Sequence, residues 1–389
     1  MIKKNKHYIQ KLNIAKNVLF IFFSLAFLQS SLADQTYSNK KWLSLNKSGM
    51  LSHKLEEYDK AEHFYLLAIK EAESINAEKE LSATFNNLGL LFLDQLKLDS
   101  ANQMLEKSFR IRMSVYGPMH RYTAQASNNL GRVREALGKY EEAERLYSGA
   151  IYSYEKMGKA GEIFLVGSMI NLAGMFQKVG KIETSYDLNI RALDICKNSL
   201  GTSHPKTLLV INNLAGVMFE LGYVEEAENL YLELLNYRKK DDLENERKYA
   251  KILNNIAVIY KSQCRLKEAK EKLLLSLDIW KKLKNNDPLS FSGTLNNLAE
   301  IYRVNLSYDQ ANNTYLEALK VIAGTAGENH QLYIDQLGYY IKFLFHVNRD
   351  SEAISFIEKL NKILLRKGLP KTNSDEFTSN MESSCGNPV

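Results

Sequence analysis

Residues 127–151 read SNNLGRVREALGKYEEAERLYSGAI. Leu130 and Val133 fall on one side of a helix, and Gly138 stops it, because glycine takes the left-handed conformation that a tight helix-to-helix turn needs. Tyr140-Glu-Glu-Ala-Glu then opens a second helix, with Ala143, Tyr147, Ala150 and Ile151 at three- and four-residue steps. Acids in its first turn suit the positive end of the helix dipole. Small residues at Gly131, Ala143 and Ala150 let the two helices approach, while Leu130 and Tyr147 fill the space between them. Such a hairpin cannot cover its own apolar face, so copies of it must stack.

The copies are there. The second Asn of an Asn-Asn-Leu-Gly/Ala string returns as Asn87, Asn129, Asn171, Asn213, Asn255 and Asn297, each 42 residues after the last. Ala101, Ala143, Ser185, Ala227, Ala269, Ala311 and Ala353 keep the same step, as do Gly138, Gly180 and Gly222, followed by Cys264, Leu306 and Asn348. His120, His204 and His330 are also in phase, each three residues after a glycine (Gly117, Gly201, Gly327). An earlier copy, Gly49 with Ala61, Tyr65 and Ala68, is offset by 40. A fixed period of this length is the mark of a solenoid.

These features resemble the tetratricopeptide repeat. Its pattern of large residue, Leu-Gly/Ala, aromatic and Ala is visible at Leu253, Ile256-Ala257, Tyr260 and Ala269, and again at Leu295, Leu298-Ala299, Tyr302 and Ala311. The 42-residue period, Leu200-Gly-Thr-Ser-His-Pro205 and Tyr223-Val-Glu-Glu-Ala-Glu228 are similar to the kinesin-light-chain subtype. The resemblance covers residues 42–366 and implies an all-α right-handed superhelix of about eight repeats. Kinesin light chains carry an N-terminal heptad region that is absent here, so motor attachment is not implied.

The resemblance also implies a site. In the family the first helices line the concave face, and asparagines at these positions hold bound peptide, which points to Asn87, Asn129, Asn171, Asn213, Asn255 and Asn297. An amide both donates and accepts, so it can grip an extended backbone whatever the side chains. The alternative is a ladder of amides satisfying one another between adjacent helices. Residues three, six and seven after each Asn extend the face and include Arg132, Glu135, Lys178, Phe219, Glu220, Lys261, Glu300 and Arg303. Their mixed signs disfavour a uniformly charged ligand. A carboxylate clamp found in some members needs Lys before the second Asn, where this chain has Asn86, Asn128, Ile170, Asn212, Asn254 and Asn296. Gly174 and Gly216 each sit three residues after an Asn, although glycine inside a helix costs roughly 1 kcal/mol. They either open a hollow for a ligand side chain, bordered by Phe219, or relieve crowding between helices.

Catalysis finds no motif: no Gly-rich phosphate loop, no His-Glu-x-x-His and no Gly-x-Ser-x-Gly. No ligand cluster accompanies the seven histidines, so neither a metal nor another cofactor is expected. The three in-phase histidines are expected to cap the helices that follow them. Of the net charge of +6, five lysines in residues 1–33 supply all but +1, so nucleic acid is not an expected partner. Those lysines precede an apolar run, Val18 to Leu28, and Ser31-Leu32-Ala33. This is the form of a signal peptide cut after Ala33, with an uncleaved membrane anchor as the alternative. No other segment looks membrane-spanning.

The expected layout is a signal peptide at 1–33, a short segment at 34–41, the solenoid at 42–366 and a disordered polar tail at 367–389. The function expected is that of an exported, non-enzymatic scaffold for an extended peptide or partner protein. The alternative is a structural part of an envelope or secretion assembly, joined through convex faces or solenoid ends. Three widely spaced cysteines, Cys196, Cys264 and Cys385, form no disulfide framework and read as structural or incidental thiols. A bridge from Cys385 to another chain stays open.

Overall fold

The computed structural model describes residues 40–237, 243–283 and 287–378, apart from the side chains of residues 243 and 244. The expectations for the signal peptide (1–33), for the cleavage point and for the end of the tail (379–389) lie outside the described residues. Among those residues there are sixteen α-helices and no strand. They pair as hairpins: α1 (40–54) with α2 (Tyr58–Ser74), α3 (Glu78–Asp94) with α4 (Leu98–Tyr116), and α5 (Arg121–Ala136) with α6 (Tyr140–Lys156). Then come α7 (Glu162–Lys178) and α8 (Ile182–Leu200) in chain order, followed by the pairs α9 (Pro205–Glu220) with α10 (Val224–Leu235) and α11 (Leu243–Ser262) with α12 (Leu266–Lys282). The last pairs are α13 (Pro288–Val304) with α14 (Tyr308–Thr325) and α15 (Gln331–His346) with α16 (Asp350–Arg366).

Every hairpin turn closes in the same way. At the end of α5 the Gly138 N–H donates to Glu135 O at 2.9 Å and the Lys139 N–H to Arg134 O at 2.8 Å, with Gly138 at φ 75°. These two bonds are a Schellman closure, which satisfies carbonyls the helix end leaves unpaired. Where the column loses glycine the geometry survives. Cys264, Leu306 and Asn348 take φ of 61°, 56° and 60° and make the same pair of bonds. A side chain in that conformation costs roughly 1–2 kcal/mol, so packing of the two helices over-determines the turn.

The joins between hairpins use the histidine column. The Nδ1 atoms of His120, His204 and His330 accept from the backbone N–H of Tyr122, Lys206 and Leu332 at 3.1–3.2 Å, capping α5, α9 and α15. This is the role the sequence spacing predicts for them. Ahead of α13 the cap is Asp287 instead, whose Oδ1 accepts from the Ser290 N–H at 3.0 Å. Burial opposes its charge, yet the Lys251 ammonium and the Ser290 donors hold its pKa below the usual carboxylate value.

Close approach within each hairpin rests on the small-residue column. Ala61, Ala101, Ala143, Ser185, Ala227, Ala269, Ala311 and Ala353 have no exposed surface. A Cβ at Gly131 would lie 2.8 Å from the Tyr147 ring, so that position admits no side chain without a shift.

The chain forms two compact units, residues 1–175 and 176–389, divided within α7. In the first, α2 packs on α3, α4 on both α3 and α5, and α5 on α6, around Leu88, Leu91, Leu105, Leu130 and Val133. In the second, successive helices from α8 to α16 pack in turn, and the first helices α9, α11, α13 and α15 also touch one another. Trp280, Ile256 and Leu273 belong to one apolar core of this unit, and Tyr315, Tyr340 and Phe343 to another.

Two findings alter the sequence reading. Cys264 is disulfide-bonded, whereas Cys196 is a buried free thiol. The wide spacing that argues against a disulfide framework measures separation along the chain, not in the fold. And part of the segment read as a tail is held in place. Asn361 and Thr372 exchange two hydrogen bonds, Ser374–Glu376 form a 3-10 turn, and Phe377 packs on the terminal core.

Candidate functional site

The asparagine pairs sit in the middle of the first helix of each hairpin. At helical spacing the second Asn and the residues three and seven beyond it share one side of that helix. Their amides form links between repeats. Asn129 Nδ2 donates to Asn86 Oδ1 at 2.8 Å, Asn171 Nδ2 to Asn128 Oδ1 at 3.0 Å and Asn297 Nδ2 to Asn254 Oδ1 at 2.9 Å. In each case the second Asn reaches the first Asn of the preceding repeat, 43 residues back. Asn87 makes the corresponding bond to Asn46 at 3.2 Å. Of the two readings offered by the sequence, the amide ladder is therefore real.

The ladder does not use up the row. Each amide has two N–H groups and an oxygen with two lone pairs, and one link takes a single donor or acceptor. Asn86 and Asn129 are sealed, at 3% and 7% exposure. Asn87, Asn171, Asn213, Asn255 and Asn297 are half-buried. Asn255 donates to the Tyr231 hydroxyl at 3.3 Å rather than to an asparagine. Asn213 accepts a long 3.4 Å bond from Asn212, and among the described residues its own N–H groups donate to nothing. The residue 43 before it is Ile170, a hydrocarbon with no acceptor.

The charged candidates divide in the same manner. Arg303 is 6% exposed and pairs with Glu300 at 3.0 Å, while the Tyr315 hydroxyl donates to the same carboxylate. Burial opposes the Glu300 charge, but Arg303 and the Tyr315 hydroxyl keep its pKa below the ordinary value. Burial and that carboxylate in turn push Tyr315 well above its own. Arg303 is thus committed within the fold. Arg132 and Lys261 are half-buried. Glu135 accepts from the Tyr147 hydroxyl at 2.8 Å, and Gln177 donates to Glu220 at 2.6 Å. The tyrosine hydroxyls of the second helices thus border this face, a feature the column of large residues does not announce.

The two glycines differ. A Cβ at Gly174 would meet nothing within 4 Å, so crowding does not require glycine there and the position is open. A Cβ at Gly216 would stand 3.3 Å from the Tyr231 hydroxyl, a tight fit. Gly174 belongs to the first unit; Gly216 and the half-buried Phe219 belong to the second.

On the opposite side of α5 a separate open cleft of about 540 Å³ lies between α4, α5 and α6, lined by Phe109, Met113, Met119, Leu146 and Tyr152 with Arg134 at its edge. The sequence reading does not single it out, since its walls come from three helices and a turn. Among the described residues no group of three or more His, Cys, Asp or Glu side chains could hold a metal ion. No helix among them is long and apolar enough to cross a membrane.

The sequence matches the family model described as tetratricopeptide repeat over residues 80–156 and 165–240. Both matched stretches carry tetratricopeptide repeats. Among curated proteins no relative matches it. Solved tetratricopeptide-like neighbours include the apo quorum sensor NprR from B. thuringiensis, with a TM-score of 0.60 at 17% identity, covering 73% of this chain and 77% of that one. A Rap protein complexed with competence and sporulation factor gives 0.55 at 16% identity, covering 87% and 99%. BtubC from P. vanneervenii is 23% identical over 60% of this chain and 92% of its own, with a TM-score of 0.48. For NprR and the Rap protein the likeness is one of fold alone.

Proposed function

We propose that this protein is an exported, non-enzymatic tetratricopeptide scaffold that holds an extended peptide, or an extended segment of a partner protein, along the face formed by its first helices. One observation carries the reading: within the second unit, half-buried amides at Asn213, Asn255 and Asn297 keep donors and acceptors that their internal bonds leave over. A peptide backbone supplies the complementary groups at regular intervals, and several modest contacts along it sum to useful affinity. Mixed charge at Lys261, Glu220 and the paired Glu300–Arg303 favours a ligand of mixed character. That one solved neighbour of this fold is a Rap protein complexed with competence and sporulation factor is compatible with such use. Export is supported by the basic, then apolar, N-terminal sequence and by a disulfide-bonded cysteine, since disulfides persist chiefly in oxidising compartments.

The test is selection of binders from a displayed library of unstructured peptides on immobilised protein, followed by calorimetry. Asn213→Ala/Asn255→Ala should weaken the selected peptides at least about tenfold, while Met113→Ala/Tyr152→Ala in the cleft beside α5 leaves them unchanged. Equal affinity for the asparagine variant would remove the proposed surface. Loss confined to the cleft variant would move the site to the other side of the first helices.

A further inference from the structure

The cleft between α4, α5 and α6 has a cause in two missing side chains. Phe85, Met169, Ile211, Leu253, Leu295 and Leu337 share one repeat position on their first helices, and all are buried. The third repeat has Ser127 there, on the lining of the cleft. Gly149, also on the lining, stands where the other second helices carry Lys107, Arg191, Glu233, Leu275 and Glu317. A Cβ on Gly149 would meet nothing within 4 Å, so close packing does not call for glycine, which weakens a helix. One large and one long side chain are thus absent from the walls of the same cleft, and about 540 Å³ stands open. Elsewhere in a close-packed fold such space is filled.

The cleft is polarised along its length. On α5 its lining runs from Thr123 to Arg134, roughly 16 Å of helix. At the Thr123 end lie Met113, Met119 and Tyr152, which stay 38%, 49% and 49% exposed. The hydroxyls there donate to the protein's own backbone. Thr123 donates to Arg112 O at 3.1 Å, Ser127 to Leu146 O at 2.8 Å and Ser153 to Gly149 O at 2.9 Å. This end therefore offers a ligand mainly hydrocarbon. At the Arg134 end the antiparallel helices bring charge together. Arg110 and Arg134 share the Glu106 carboxylate at 2.6 and 3.2 Å, and Arg134 also meets Glu142 at 3.2 Å. Arg145, one turn beyond Glu142 and exposed, makes no ion pair or hydrogen bond among the described residues. The buried Nε–H of Arg134 has no acceptor. Three guanidiniums thus stand against two carboxylates on this lining, and one positive charge is left over.

We propose that this cleft binds a linear amphiphile with a single anionic head, of the fatty-acid type. Its hydrocarbon chain lies over Ser127 and Gly149 toward Met113 and Met119, and its carboxylate is held by Arg145. Burial of the chain removes apolar surface from water on both sides, and flexible methionine side chains adapt to its shape. The carboxylate takes the surplus charge through a charge-assisted hydrogen bond. A gap left by omitting single side chains is too narrow for a partner's α-helix, which is about 10–12 Å across. The site lies within the first unit, on the other side of α5 from the asparagine row. It is independent of the peptide-binding reading, and either can fail without the other.

The experiment titrates the full chain with dodecanoate by calorimetry, below the concentration at which it forms micelles. Dodecanoate should bind at a single site, dodecanol about tenfold more weakly, and butyrate, which has the head without the tail, not at all. Ser127→Leu restores the residue type of the column, and Gly149→Met fills the cleft from the other wall. Each should lower dodecanoate affinity at least about tenfold while circular dichroism stays that of the parent; if one fails to fold, the other carries the test. Arg145→Gln should bring dodecanoate down to the affinity of dodecanol and leave dodecanol unchanged. Cosedimentation with phosphatidylglycerol vesicles, lost in Ser127→Leu, would identify a membrane lipid as the source of the chain. Dodecanoate binding without cosedimentation would identify a free acid. Undiminished binding in both filled variants, or equal affinity of the parent for dodecanoate and dodecanol, would overturn the proposal. So would the absence of both dodecanoate binding and cosedimentation, or a library peptide that binds the parent and not Ser127→Leu.

Discussion

The asparagine row of the first unit and that of the second share one repeat position, yet they differ in what they leave available. Around Asn87, Asn129 and Asn171 each second Asn meets the first Asn of the repeat before it, and at Asn86 and Asn129 the link is sealed from solvent. In the second unit Asn297 keeps the link to Asn254, but at Asn213 and Asn255 the pattern fails. One amide receives only a long bond from its neighbour, and the other turns to a tyrosine hydroxyl. One string therefore serves as inter-repeat glue in one place and leaves hydrogen-bonding capacity in the other, and the surroundings decide which.

The comparison can be broken most forcefully at the sealed end. Asn129→Ala leaves the buried Asn86 oxygen without its donor, and a loss of about 1–3 kcal/mol in urea unfolding is expected. A change below the error of the measurement would show that the ladder holds nothing together. The next effect has the opposite sign. Gly174→Ala adds a methyl group to open space in a helix and should stabilise by roughly 0.5–1 kcal/mol, read as a rise in Tm. Destabilisation there would mean that the hollow is smaller than the geometry allows. The smallest change in stability belongs to Asn213→Ala, within about 0.5 kcal/mol of the parent in the same urea titration. If it destabilised the protein as much as Asn129→Ala, the two stretches would not differ and the second would be glue as well.

Much of the architecture could be read directly from the residues, because helix faces, turn positions and close-packed small residues are local and repeat with the chain. The Gly138 column marks every turn, and the left-handed backbone at Cys264, Leu306 and Asn348 follows from phase even though glycine is gone. The histidine caps follow for the same reason: each acceptor is two residues from its donor. The candidate site was only half legible. Arg303 has the spacing of a face residue, but its charge is taken by Glu300 three residues back, within a knot closed by Tyr315 from the partner helix. Phe377 sits in a segment whose polarity reads as disorder, because its apolar contact is with a repeat end that composition does not display.

The sequence by itself determined the period, the hairpins, the turns and the row of asparagines, since each depends on residues a few places apart and on one step repeated along the chain. Only the tertiary structure decided which amides are sealed, which charges are paired and which cysteine is bonded. The sealed amide meets a partner 43 residues away and the Arg303–Glu300 pair is closed by Tyr315 from the next helix, so packing rather than spacing along one helix chooses the partners.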